Sequence, residues 1–215
     1  TRGFRASTMP RALVRLADGS FELQCPTWGE REAGDEESSP MPSFVGNTIQ
    51  DIFFYKNRMG LLSGSNVILS RASELFSFFS ASATTLLDSD PVDTAACSTK
   101  VNILRFAMPL QEQLILFSDS TQYRMDDSME TFGPKTAALL PMTEFSSSSL
   151  CRPESMGRSL FFTADRGEYS DLREFTLADS YAPNDAPLMT SHVPRYVPSG
   201  VSLMRACRTE EALLL

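Results

Sequence analysis

The sequence predicts an all-β fold, in which repeated antiparallel hairpins form the blades of an incomplete β-propeller. Short alternating apolar segments repeatedly flank turn-forming residues, whereas the 3.6-residue periodicity of amphipathic helices is nearly absent. The hairpins recur at intervals of about 45 to 60 residues, which suits blades joined by loops. A β-sandwich is the competing fold, and its strands are expected at a more even spacing of about 8 to 12 residues.

The first hairpin is expected in residues 11–25, RALVRLADGSFELQC, where two alternating strands flank Asp18-Gly19. Residues 26–43 combine five prolines and glycines with the acidic run Asp35-Glu36-Glu37. This composition is typical of a loop or linker that lacks regular secondary structure.

Three strands and two turns are expected in residues 51–71, DIFFYKNRMGLLSGSNVILSR. The strands contain Phe53-Phe54, Leu61-Leu62 and Val67-Ile68-Leu69, and the turns are Asn57-Arg58 and Gly64-Ser65-Asn66. No residue of this unit is suited to catalysis, so we interpret it as architectural. Residues 73–79, SELFSFF, are predicted to form one short helical turn capped by Ser73.

Two later segments repeat the hairpin scheme. Residues 112–125 place Ser118-Asp119-Ser120 between an apolar strand and a polar-aromatic strand. Residues 158–175 place Asp165-Arg166-Gly167 at the equivalent turn. Residues 200–215 are expected to begin another copy.

These patterns divide the chain into two parts. Residues 1–45 are predicted to be an N-terminal hairpin and a linker rich in proline, glycine and acidic residues. Residues 46–215 are predicted to be the propeller blades. Because the chain starts at Thr1 and stops within the apolar run EEALLL, we expect a piece of a longer polypeptide, truncated at its C-terminus.

The net charge of −8 disfavours a protein that binds nucleic acid by neutralising phosphates, because such a protein needs a basic face. Acidic walls are nevertheless compatible with DNA that must slide past without sticking. No apolar run approaches the ~18 residues that a membrane-spanning helix needs. The four cysteines are widely spaced and include no CxxC pair, so we expect reduced, buried thiols.

Candidate catalytic and metal-binding residues are few, and each has a simpler structural explanation. The single histidine, His192, is adjacent to Ser191 but lacks the sequence context of a Ser-His-Asp site. Asp88, Asp90 and Asp93 are spaced like cation ligands, but a turn in which short carboxylates accept backbone N–H groups explains them better. The doublets Asp126-Asp127 and Glu210-Glu211 are interpreted as solvated surface charge, since adjacent strand residues face opposite sides.

We therefore assign no catalytic, cofactor-binding or metal-binding residue and predict no cofactor. The protein is expected not to be an enzyme.

An ordered series of segments resembles the nozzle proteins of T7-like podophages, also called tail tubular protein B. The resemblance covers nearly all of the 215 residues. Its segments are STMPRALVR, Trp28 followed by PSFVG, DIFFYKNRMGLLSGSNVILSR, ATTLLDSDPVD, LFSDSTQYRM, FFTADRGEYSDLREF and HVPRYVPSGV.

This resemblance implies a structural component of the virion tail, assembled in the host cytoplasm, with a central β-propeller. It also implies six copies that form the lower tail tube, below the adaptor ring (tail tubular protein A) and beside the tail fibres, with phage DNA passing through without sequence-specific binding. The alternative is a carbohydrate-binding or glycan-hydrolysing propeller module that acts on the host envelope. That alternative rests on scattered carboxylates and on three aromatic residues expected to be exposed, Trp28, Tyr123 and Tyr169.

Overall fold

The computed structural model describes residues 3–97, 102–126, 131–177 and 185–215. Within these ranges the regular elements are fifteen strands and two short 3-10 helices, Ala6–Thr8 and Met189–His192. The strands are β1 Ala12–Arg15, β2 Phe21–Gln24, β3 Ile49–Tyr55, β4 Arg58–Ser63, β5 Asn66–Leu69, β6 Val92–Ala95, β7 Leu104–Leu110, β8 Gln113–Ser118, β9 Gln122–Asp126, β10 Ala138–Thr143, β11 Glu154–Met156, β12 Ser159–Arg166, β13 Tyr169–Thr176, β14 Arg205–Cys207 and β15 Ala212–Leu214.

The strands form three main sheets and two separate hairpins, and the pairing is antiparallel throughout. The first sheet contains β3 to β6 and the second contains β7 to β10, in both cases in chain order. The third sheet contains β11 to β13, while β1–β2 and β14–β15 are two-stranded hairpins. Each sheet is thus a meander made from one continuous stretch of chain. The all-β prediction is confirmed.

The second sheet is buried on both of its faces. Alternate residues of β8 point to opposite faces, as the two-residue period of a strand requires. Leu114 and Leu116 pack against the first sheet, in a core that includes Leu62 and Val67. The intervening Ile115 and Phe117 pack against the third sheet, in a core completed by Leu160, Phe162 and Phe175. Three sheets are therefore stacked face to face in chain order, unlike the two layers of a β-sandwich.

Less regular segments cover the outer faces of the stack. On the first sheet, Leu61 and Ile68 pack against Met9, Trp28, Phe44 and Phe78. On the third sheet, Phe161 packs against Cys151 and Met204. Residues 26–43 contain no strand or helix, as predicted, but the burial of Trp28 shows that this segment packs on the sheet.

The predicted hairpins are confirmed in residues 11–25, 51–71, 112–125, 158–175 and 200–215. In the 51–71 unit, the first turn lies at Lys56-Asn57, one residue earlier than predicted. Both of these residues have positive φ angles, 46° and 59°, as in the type I′ turns that suit hairpins.

The predicted helical turn in residues 73–79 is wrong. Ser73 has a φ of 65°, whereas a helix N-cap needs an extended backbone. The segment instead makes successive tight turns, with Glu74 N–H donating to the Arg71 carbonyl and Ser77 N–H to the Glu74 carbonyl. The turns direct Phe78 into the core on the outer face of the first sheet.

Arg58 is a buried cation that organises the long loop between β5 and β6. Its side chain, in a residue only 2% exposed, donates Nη1–H bonds to the carbonyls of Ser70 (2.8 Å), Ser89 (3.3 Å) and Asp90 (2.7 Å). Its Nη2 donates to the Asp88 carbonyl at 2.6 Å. Desolvation lowers the pKa of Arg58 from its ordinary value, while the charge of Asp90 opposes that shift. The guanidinium thus satisfies inward-facing carbonyls that lack partners in a sheet.

Candidate interaction surfaces

The first strands of successive sheets lie side by side, and one polar network joins them. Asp51 on β3 accepts an N–H bond from Ala107 on β7 through Oδ2 at 2.8 Å. Its Oδ1 accepts from Arg152 Nη1 at 2.6 Å, and Arg152 Nη2 donates to the Ala107 carbonyl at 2.9 Å. Arg152 lies two residues before β11, so the network joins the leading strands of the first and second sheets to the start of the third. Contacts also join β3 to β7, β7 to β11, and β11 to β14.

The face of β3 that points away from the second sheet carries an uncovered apolar strip. Ile52 is 46% exposed and Phe54 is 56% exposed. Their neighbours Phe53 and Tyr55 are buried against the second sheet, which is the opposite face of the same strand. The outer face of the first sheet is therefore covered at β4 and β5 but open along its leading strand.

A second uncovered apolar surface lies on the β1–β2 hairpin. The register pairs Leu13 with Leu23 and Arg15 with Phe21, so these four side chains share one face. The exposed fractions are 67% for Leu13, 64% for Phe21 and 57% for Leu23. Large apolar side chains grouped on one exposed face mark an interaction site more often than scattered ones do.

The ionisable residues that were considered as catalytic candidates are mostly exposed where the structure describes them. His192 is exposed at the end of the second 3-10 helix, and Glu210 and Glu211 are exposed as well. Asp126 is half-buried at the end of β9, while Asp127 lies outside the described residues. Among the residues with described positions, no group of three or more His, Cys, Asp and Glu side chains could hold a metal ion.

The interpretation of the Asp88–Asp93 segment as a turn is confirmed for Asp90. This side chain is fully buried, and its two carboxylate oxygens accept N–H bonds from Ala81 at 3.0 Å and Leu87 at 2.8 Å. Asp93 instead bridges segments, accepting from the Ser43 N–H at 2.8 Å and the Asn66 amide at 2.9 Å. These carboxylates stabilise loops of the protein itself.

Two of the three aromatic residues that were expected to be exposed are buried. Trp28 is 9% exposed in the cluster over the first sheet, and Tyr123 is 1% exposed between the first and second sheets. Tyr169 is half-buried. The prediction failed for Trp28 and Tyr123 because a single sequence does not show which aromatic side chains turn inward. Trp28 and Tyr123 therefore offer no surface on which a sugar could stack.

All four cysteines are free, but only Cys151 is fully buried, so the expectation of buried thiols is wrong for Cys25 and Cys97. Cys151 packs against Phe161 and Met204, and burial raises the pKa of its thiol. We expect Cys25 and Cys97 to react rapidly with a thiol reagent at mildly alkaline pH, while Cys151 stays protonated and reacts only after unfolding. Mass spectrometry of labelled peptides, with and without urea, measures the relative reactivity of these cysteines. Labelling of Cys151 in the folded protein as fast as Cys25 would contradict the burial described here.

The structural roles of Asp51, Arg152 and Arg58 were not predicted from the sequence, because the partners of these side chains depend on tertiary structure. Asp51 and Arg152 are 101 residues apart, and no local pattern relates them. The apolar face of the β1–β2 hairpin could have been found, because Leu13, Phe21 and Leu23 occupy alternate positions of a predicted hairpin.

The fold is that of an all-β protein with three stacked sheets. Two apolar surfaces are exposed, the strip at Ile52 and Phe54 and one face of the β1–β2 hairpin, and such surfaces suit a protein that assembles with others. The chain belongs to the bacteriophage nozzle protein family, whose family model matches residues 1–215. It is also 39% identical over 204 residues to the tail tubular protein gp12 of Escherichia phage T7. That match covers 94% of this chain and 26% of the T7 protein, so the chain spans about a quarter of its relative's length. No helix among the residues described here is long and apolar enough to cross a membrane.

Proposed function

We propose that this chain is a structural segment of the tail of a short-tailed bacteriophage, where it forms part of the nozzle, or lower tail tube, through which DNA is ejected. Membership of the nozzle family places the protein in the virion tail. The observation that carries the proposal is the stack of three sheets with apolar cores on both faces of the second sheet, because such a stack makes a stiff wall.

The sheets are proposed to be blades of a β-propeller that occupies residues 46–215, with residues 1–45 as an N-terminal hairpin and linker. In a propeller each blade is a meander whose first strand lies nearest the central axis. The meander order of the sheets and the contacts among β3, β7 and β11 support this arrangement. The exposed strip of Ile52 and Phe54 is then the surface on which a further blade of the full-length protein packs.

The full-length protein is proposed to assemble as a homo-hexamer that docks the adaptor ring and the tail fibres. Its acidic character, a net charge of −8 over this chain, would let DNA move past without sequence-specific binding. We propose no enzymatic step. The burial of Trp28 and Tyr123 argues against the carbohydrate alternative.

Electron microscopy of the purified full-length protein, alone and with the adaptor protein, tests this function. We expect sixfold rings or short tubes that join the adaptor end to end. A full-length protein that stays monomeric at high concentration and fails to bind the adaptor would argue against a role in the tail wall. The full-length chain is needed, because a segment that lacks its neighbouring blades leaves the Ile52–Phe54 strip uncovered.

A further inference from the structure

We propose that the β1–β2 hairpin is an arm that docks onto a second copy of this chain and holds neighbouring subunits together. The inference rests on the self-assembly proposed above and names the surfaces that make the contact. Residues of β1 and β2 are absent from the four apolar clusters of the described chain, so the arm has no apolar support from the body. An isolated two-stranded hairpin is only marginally stable in water.

The amphipathic pattern of the arm is the reverse of what a solvated hairpin needs. Leu13, Phe21 and Leu23 share the face that is most open to solvent. The opposite face pairs the half-buried Ala12 and Val14 with Gln24 and Glu22, whose polar side chains hydrogen-bond to each other at 2.7 Å. An apolar face of this kind gains free energy when a partner removes it from water.

The arm is already ordered before it meets a partner. At its turn, the Asp18 carboxylate accepts bonds from the Ser20 N–H at 2.9 Å and the Ser20 hydroxyl at 2.6 Å. Gly19 has the positive φ that the turn requires, 88°, and its N–H donates to the Leu16 carbonyl. Docking a preformed arm costs less conformational entropy than ordering a disordered one.

The same chain offers a matching receptor. An open cavity of about 490 Å³ lies between the N-terminal segment and the first sheet, a size typical of binding pockets. Its apolar walls include Phe4, Met9, Phe44 and Val45, and Val45 is 46% exposed at the surface. Glu36 and Arg5 also line the cavity, and Glu36 is paired with Arg31 at 2.9 Å. The loop of residues 30–37 has five acidic residues and one basic residue, so four of its acidic residues lie outside that pair.

Charge complementarity identifies a second copy as the occupant. The arm presents Arg15 on its apolar face and Arg11 just before β1, and both are exposed. These cations suit the acidic loop beside the cavity. No residue of the arm lines the cavity of its own chain, so the proposed occupant is the arm of a second copy. Such a head-to-tail contact generates a ring when its rotation closes.

Site-specific crosslinking in the full-length protein tests the arm. Two differently tagged copies are co-expressed, both with the exposed cysteines removed by Cys25→Ser and Cys97→Ser. One copy carries Leu23→Cys and the other Val45→Cys. The assembled protein is then treated with a short bis-maleimide. We expect a crosslink between the two tags. The matched control replaces Leu23→Cys by Gln24→Cys, one residue away on the opposite face, and should give several times less product.

A second comparison measures the contribution of the arm to assembly. Phe21→Ser should weaken subunit association by roughly tenfold to a hundredfold, the effect of removing one buried aromatic side chain. Glu22→Ser, on the polar face, should leave it unchanged.

Three results would contradict the proposal that the arm docks onto a second copy. The first is equal crosslinking from Leu23→Cys and Gln24→Cys within intact rings, which leaves the tail-wall function standing. The second comes from a copy that carries both Leu23→Cys and Val45→Cys, mixed with an excess of copies that carry neither. A crosslink within that single chain would show that the arm binds its own cavity. The third is the absence of rings from the unmodified protein, which overturns the proposed assembly together with the arm.

Discussion

Replacing Arg58 by methionine is expected to lower the free energy of unfolding by about 3 to 5 kcal/mol. Methionine preserves much of the side-chain volume but donates no hydrogen bond. The carbonyls of Ser70, Asp88, Ser89 and Asp90 would lose the guanidinium that they share. The loop between β5 and β6 would then bury unsatisfied acceptors or unfold locally. Urea unfolding followed by fluorescence measures the loss, because Trp28, the chain's single tryptophan, lies in the core over the first sheet.

Arg105→Met is the matched control for this effect. Arg105 pairs with Asp119 at 2.9 Å, but both side chains are well exposed, at 31% and 46%. Exposed ion pairs typically contribute below about 1 kcal/mol, so the control should unfold close to the unsubstituted protein. Arg58→Lys should fall between the two, since one ammonium group cannot reach all four carbonyls. Equal stability of the Arg58→Met and Arg105→Met variants would refute the role assigned to Arg58.

Replacing Gly60 by alanine is expected to cost about 1 to 3 kcal/mol, and valine more, because the site has no room for a side chain. Gly60 is buried on β4 directly opposite Phe53 on β3, and the Phe53 ring lies across the glycine. A Cβ atom at residue 60 would overlap that ring. Either the ring leaves the core between the first and second sheets or β3 separates from β4. The same urea titration measures the cost.

A double-mutant cycle isolates the contact between Gly60 and Phe53. Phe53→Leu alone should destabilise the protein by removing part of a buried ring. Combined with Phe53→Leu, the Gly60→Ala substitution should cost less than it does alone, because the smaller side chain leaves space for the new methyl group. Strictly additive effects would show that the ring is not what excludes a side chain at residue 60.

The hairpins could be predicted because their turns carry a local signal. Asn57, Gly64 and Gly167 all have positive φ angles, and residues of these types tolerate that conformation. The alternation of apolar residues on either side then defines two strands of known direction. Such information lies within about ten residues of each turn.

Four strands escaped prediction, namely β6, β7, β10 and β11, and each lies at an edge of its sheet. Two of them contain prolines, Pro109 in β7 and Pro141 in β10. Proline interrupts a strand pattern in the sequence, yet an edge strand tolerates it because one side of that strand needs no ladder hydrogen bonds. Because these four strands were not predicted, the sequence indicated fewer strands in each sheet than the three or four that the structure contains.

The candidate surfaces depend on tertiary structure, and sequence predicted them only in part. The residues of the β1–β2 arm were visible as a hairpin, but their exposure was not. The strip at Ile52 and Phe54 and the network of Asp51 with Arg152 depend on how the sheets stack. Stacking joins side chains that are far apart in the chain, so a single sequence carries no direct record of it.

A cryo-electron microscopy reconstruction of the virion tail, at a resolution that separates β-strands, tests the proposed arrangement of the three sheets. We expect the first, second and third sheets to be stacked face to face within the tail wall, with β3, β7 and β11 innermost around a common axis. Sheets that lie outside the tail, or that stack with β6 and β10 innermost, would contradict it.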